Sequence, residues 1–253
     1  MNFVEKVEKR KKEVKNLLVI GLDTNVERLP KSFSKDSKGM YEFNKYIVES
    51  TKDIACAYKM NSAFYEMLGP DGMRTLLKTR ELIGDDIPVV YDAKRGDIAS
   101  TAEAYAKAAF EFFGFDAITL SPYMGSDAIS PFLKYEDKYA FLVCLSSNPS
   151  AADFEYHGNP PLYVQVAVLA AEYGKRCGLV VGATVSKALD EVHEISPKSF
   201  ILVPGIGVQG GSVKDVMKSA AREKILVNVS RGIIFSENPR ETALKYAKSL
   251  SLQ

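Results

Sequence analysis

Histidine is nearly absent from this chain, cysteine is scarce, and neither sign of charge is in excess. The two histidines, His157 and His193, exclude a multi-histidine metal centre. Either could join a catalytic triad, but no Gly-x-Ser-x-Gly elbow is present and both lie in polar stretches, so both are expected at the surface. Cys56, Cys144 and Cys177 are odd in number and far apart, and two sit in apolar runs. They read as buried thiols of a reducing compartment, neither disulfides nor zinc ligands. With 33 Lys and Arg against 32 Asp and Glu, there is no electrostatic footprint for nucleic acid or an anionic membrane. The charged N-terminus lacks a signal-peptide core, and no apolar run reaches membrane-spanning length. A cytoplasmic protein with a small-molecule partner is the expectation.

What the chain does have is a repeating rhythm. Apolar, β-branched runs recur at Leu17 to Leu22, Ile54 to Lys59, Ile87 to Tyr91, Ala117 to Leu120, Tyr139 to Leu145, Leu179 to Gly182, Phe200 to Val203 and Ile225 to Val229. Between them lie patterns of helical period, such as Thr101 to Phe113 and Leu162 to Arg176. Strict alternation forces parallel strands with right-handed crossovers. Eight units over 253 residues predict a single-domain (β/α)8 barrel, with a doubly wound open sheet as the alternative. Ser100-Thr101-Ala102-Glu103 has the pattern of a capping box, Pro160-Pro161 precedes one helix and Pro239 opens the last. Residues 1–15 form an additional amphipathic helix, expected to cover the lower end of the barrel.

In such barrels the chemistry lies at the C-terminal ends of the strands. The first three runs lead into Asp23, into Lys59 and Asn61, and into Asp92-Ala93-Lys94-Arg95-Gly96-Asp97. Asp92 and Lys94, two apart on a strand, share a face about 7 Å apart along it. A cluster of two carboxylates and a cation around a strand-to-helix turn is costly to desolvate unless it performs chemistry. The last two runs lead into Pro204-Gly205-Ile206-Gly207-Val208-Gln209-Gly210-Gly211 and Ser230-Arg231-Gly232. Backbone N–H groups freed by the glycines, with the guanidinium fork of Arg231, fit a phosphate.

These motifs, in this order, resemble the orotidine 5'-monophosphate decarboxylase family. They are Leu-Asp-x-Asn, a second-strand Lys, Asp-x-Lys-x-x-Asp, Ser-Ser-Asn-Pro, Pro-Gly-x-Gly-x-Gln-Gly-Gly and the final Arg-Gly. The long segment before Tyr58 is similar to the subfamily with an extended first helical connection. The resemblance implies a metal-free and cofactor-free homodimer that turns orotidine 5'-monophosphate into uridine 5'-monophosphate. Lys59, Asp92, Lys94 and Asp97 would form an alternating catalytic network, with Lys94 stabilising and protonating the C6 carbanion. Asp97 and Thr101 would come from the partner subunit. Asp23 and Thr101 would hold the ribose, Asn61 and Ser147 the pyrimidine, and Gln209 and Arg231 the phosphate, with Ser146 as an alternative to Ser147. A related decarboxylase of 3-keto-L-gulonate 6-phosphate shares much of the pattern, but places a Glu where Lys59 stands and binds Mg²⁺. A non-catalytic phosphate-binding barrel is the third reading. In some organisms the activity is fused to orotate phosphoribosyltransferase.

Overall fold

The computed structural model describes residues 1–185, 187–206 and 212–252. Its strands are β1 (Leu18–Gly21), β2 (Ala57–Asn61), β3 (Val89–Arg95), β4 (Ala117–Leu120), β5 (Tyr139–Leu145), β6 (Cys177–Val181), β7 (Ile201–Val203) and β8 (Ile225–Val229). They form one closed barrel in sequential order, and every neighbouring pair is parallel, including β8 with β1. The closed (β/α)8 barrel, not the open sheet, is the architecture.

Two strands depart most from the sequence expectation. β2 begins three residues later than the apolar run, because the N–H groups of Ile54 and Ala55 are committed to the Thr51 carbonyl at the end of the preceding helix. β3 runs on to Arg95 instead of stopping at Tyr91, with a shift of register against β4 between those two residues. The capping box at Ser100 does not form. That helix begins at Ala99 with no side-chain cap, and the Glu103 carboxylate accepts from Lys134 Nζ at 2.6 Å instead. The helical pattern after Lys107 continues as a π-helical turn, Ala108–Phe112.

The N-terminal helix Phe3–Val14 is fixed by residues that lie just before strands. Phe3 N donates to the Asp137 carbonyl, Lys6 pairs with Asp116, Arg10 Nε donates to the Ala55 carbonyl and Lys11 Nζ to the Glu223 carbonyl. These partners precede β5, β4, β2 and β8, so the helix crosses the N-terminal mouth of the barrel. Phe3 is buried there against the rings of Tyr139, Phe141 and Phe200.

All three cysteines are buried, and burial raises each thiol pKa, that of Cys56 to about 12. His157 is exposed, but His193 is not a simple surface residue. It follows Leu189 by four positions on the helix Lys187–Ile195, which turns it inward, and its Nδ1 is buried without a hydrogen-bond partner among the described residues.

Candidate active site

Inward-pointing residues of the barrel form layers. Val19, Ala57, Val90, Ala117, Phe141, Val180, Leu202 and Leu226, one from each strand, form an apolar plug continuous with Phe3 and Val7. Two residues further along each strand, on the same face, stand Gly21, Lys59, Asp92, Thr119, Val143, Gly182, Pro204 and Asn228. With one step toward the C-terminal rim the interior turns from wholly apolar to half polar. Above this floor lies a cavity of about 310 Å³, within the range of small-ligand sites. Asp23, Lys59, Asn61, Asp92, Lys94, Ser147 and Arg231 all line it.

On its β1–β4 side the cavity carries four charges of alternating sign. Lys59 Nζ lies 3.0 Å from Asp23 Oδ1 and 2.8 Å from Asp92 Oδ2, and Lys94 Nζ lies 2.6 Å from Asp92 Oδ1. Lys59 is almost fully buried, whereas about half of the Lys94 side chain remains exposed to the cavity. Burial alone would strip the charge from Lys59, but the Asp23 and Asp92 carboxylates outweigh it and raise its pKa. Asp92 mirrors this: burial opposes its charge, and Lys59 and Lys94 more than compensate, so its carboxyl stays well below the ordinary range. Lys59 and Asp92 therefore stabilise each other's charged forms. Asn61 is shared, for its Oδ1 accepts from Ala63 N at 3.1 Å and caps a short helix, while Nδ2 reaches Asp92 Oδ2 at 3.4 Å.

Simple alternation along β3 does not explain how Asp92 and Lys94 meet. Lys94 has φ 46°, the left-handed region, so the chain turns at that residue before its ammonium folds back onto Asp92. Asp97 lies apart from the network within this chain: its Oδ1 accepts from Ile98 N, and neither it nor the exposed Thr101 lines the cavity.

The opposite wall is built by the segments after β5, β7 and β8. Ser146, Ser147 and Asn148 line it, and the Ser146 hydroxyl and N–H are both held by Glu155, at 2.9 and 2.7 Å. Pro204, Gly205, Ile206, Ser230, Arg231 and Gly232 complete the rim. Gln209 lies outside the described residues. Asn228 Oδ1 and Ser230 Oγ are buried and have no hydrogen-bond partner among the described residues, which leaves polar atoms on the β8 side for a ligand.

Sequence reasoning gave no role to Thr119, Asn228 or Glu155, and took Ser230 only as part of the Ser230-Arg231-Gly232 motif. Thr119 gave no signal, since threonine is an ordinary strand residue. Asn228 did, as the lone amide inside Ile-Leu-Val-Asn-Val. Among the described residues no group of three or more His, Cys, Asp or Glu side chains is arranged to hold a metal ion, and no helix is long and apolar enough to cross a membrane.

Comparison with known proteins gives a consistent result. A family described as orotidine 5'-phosphate decarboxylase / HUMPS matches residues 16–246. An orotidine 5'-phosphate decarboxylase of Herpetosiphon aurantiacus is 44% identical over 240 residues, covering 92% of this chain and 90% of the relative. The solved structure of Leishmania donovani OMP decarboxylase superposes with a TM-score of 0.89 at 38% identity, over 99% of this chain and 98% of the other. That of Leishmania donovani UMP synthase gives 0.91 at 40% identity, and there this chain covers 99% of itself but only 56% of the longer protein.

Proposed function

The chain belongs to the orotidine 5'-phosphate decarboxylase / HUMPS family, and from that membership we infer that it converts orotidine 5'-monophosphate to uridine 5'-monophosphate and carbon dioxide, the last step of de novo UMP synthesis. The observation that carries this reading is the ion-paired Asp23–Lys59–Asp92–Lys94 chain at the C-terminal mouth of a closed barrel. When the bond from C6 to the carboxylate breaks, its electron pair stays on C6, in the plane of the ring, where conjugation cannot spread it. A cation must meet that charge. Lys94 supplies it: the ammonium, held by Asp92, stabilises the developing carbanion and then donates a proton to C6. Carbon dioxide leaves, and the neutral amine recovers its proton from solvent.

Asp92 also faces the substrate carboxylate. Repulsion between two carboxylates about 4 Å apart is worth about 4 kcal/mol at an effective dielectric of 20. Enzymatic rate enhancements commonly require about 8–23 kcal/mol. Repulsion is therefore the smaller contribution, and preorganised placement of Lys94, together with binding energy from the distant phosphate, is the larger.

Arg231 and Gln209 grip the phosphate, Asp23 the ribose, and Ser147 with Asn61 the pyrimidine. Support comes from Arg231, Asp23, Asn61 and Ser147 lining one cavity. The working unit is a homodimer in which Asp97 and Thr101 complete the partner's site. This agrees with the exposed apolar side chains Ile98, Tyr123, Met124 and Phe154, which follow β3, β4 and β5 on the rim beside Lys94. Residues 1–253 act as one domain, tied together by the contacts of the N-terminal helix, and the buried thiols fit a reducing cytoplasm.

No metal is needed, because the Lys59 ammonium occupies the ground between two carboxylates where a divalent ion would otherwise be attracted. The same lysine disfavours the sugar-phosphate alternative. A spectrophotometric assay of orotidylate tests the whole reading. The purified protein should consume it with or without chelator, and Lys94→Ala should fold normally yet lose activity by several orders of magnitude. Lack of turnover by the unaltered protein, or near-normal turnover by the variant, would refute it.

A further inference from the structure

Thr119, on β4, is buried at the floor of the cavity with 1% of its surface exposed. Its hydroxyl joins two parts of the charged network. Oγ1 donates to Asp92 Oδ1 at 3.0 Å and accepts from the backbone N–H of Lys94, also at 3.0 Å. A hydroxyl has one proton, so giving it to the carboxylate leaves a lone pair for the amide, and a single orientation satisfies both.

The second of these bonds matters because of what happens to the backbone. Between Tyr91 and Arg95 the ladder from β3 to β4 loses its regular register, and Lys94 sits within that gap in the left-handed conformation. A side chain from β4 takes the Lys94 N–H there instead of a ladder carbonyl. The same oxygen fixes the carboxylate to which the Lys94 ammonium is bound. Thr119 thus holds Lys94 at both ends, directly at the backbone and through Asp92 at the ammonium.

We propose that Thr119 is a positioning residue for decarboxylation, whose hydroxyl locks the turn at Lys94 and the rotamer of Asp92 so that the ammonium is held over the reacting carbon. The proposal rests on the reading of Lys94 as the cation that meets the carbanion. Its chemical requirement is an oxygen able to donate and accept at once. Serine meets that requirement; valine, of nearly the same shape, does not.

The test uses the full chain as Thr119→Val, Thr119→Ser and Thr119→Ala, measuring kcat and KM for orotidine 5'-monophosphate, Kd for uridine 5'-monophosphate and the urea midpoint. Misplacing a catalytic group by an ångström or so costs up to about 100-fold in rate, so Thr119→Val should lower kcat about 10- to 100-fold. KM and the nucleotide Kd should stay within about threefold, and Thr119→Ser should recover most of the rate. Thr119→Ala provides the same comparison should the valine variant not fold. The idea is overturned if kcat is unchanged without the hydroxyl, if serine is no better than valine or alanine, or if rate and nucleotide affinity fall together. An inactive wild-type protein would instead sink the decarboxylase reading, so the two failures are distinguishable.

Discussion

Lys59 and Asp92 show how residues that are expensive to bury can share one interior. Each charge loses hydration, and each is compensated by opposite charges within 3.0 Å. The linkage runs in two directions. Asp92 has a folded pKa below its ordinary 3.8, so its contribution is present above that value and is lost as pH falls through the depressed one. Lys59 has a folded pKa above its ordinary 10.5, so its contribution is complete below that value and is lost as pH rises through the raised one. The stability gap between the protein and Asp92→Asn should accordingly be level from about pH 5 to 9 and narrow in stronger acid, as read by urea unfolding. A gap that peaks sharply near neutrality would show that other groups set it. At the far side of the cavity, Arg231→Ala should weaken nucleotide monophosphate binding by about 1.5–3 kcal/mol, as for hydrogen bonds to charged groups, and leave nucleoside binding almost unchanged. Calorimetric titration of the two ligands would reveal equal losses if Arg231 touched no phosphate.

At the scale of elements, each strand of the barrel has two jobs divided along its length. The earlier inward residues supply the apolar plug, and Lys59, Asp92, Thr119, Val143 and Asn228, two residues further on, face the cavity. The N-terminal helix belongs wholly to the first job. Phe3 stacks on Tyr139 at 4.8 Å between ring centres and meets Phe141 and Phe200 edge-on. Truncation to Phe3→Ala should cost about 3–5 kcal/mol of stability, the range for a large buried aromatic. The kcat of the folded fraction should not change, since the plug separates this cluster from the cavity. A fall in kcat at unchanged stability would contradict that division. β3 is the exception among the strands, because its end was legible as chemistry but not as geometry. Asp92 and Lys94 stood out in sequence, yet the left-handed turn at Lys94 and its hydrogen bond to Thr119 depend on β4, 25 residues away.

The whole molecule sets which residues share a site. Around the ring β3 and β8 are three strands apart, and closure places Lys94 and Arg231 on two walls of the same cavity. Closure does not bring in Asp97 or Thr101, which follow β3 but do not line the cavity. If each completes a partner's site, inactive Lys94→Ala and Asp97→Ala subunits should complement one another. Random exchange makes half the dimers mixed, each with one intact site, so about a quarter of the full activity should return. Native mass spectrometry can confirm exchange, and no recovery despite it would place Asp97 outside the shared site.

By itself the sequence determined the barrel, because eight apolar runs alternating with helical patterns admit few ways to bury both faces of every strand. It also picked out the charged residues that line the cavity, Asp23, Lys59, Asp92, Lys94 and Arg231, because charged groups at strand ends are too costly to place without a reason. Tertiary structure alone decided the start of β2, the turn at Lys94, the inward face of His193 and the roles of Thr119, Asn228 and Glu155. The turn at Lys94 shows why: its N–H is taken by the Thr119 hydroxyl of the next strand, a partner supplied only when the strands close into a ring.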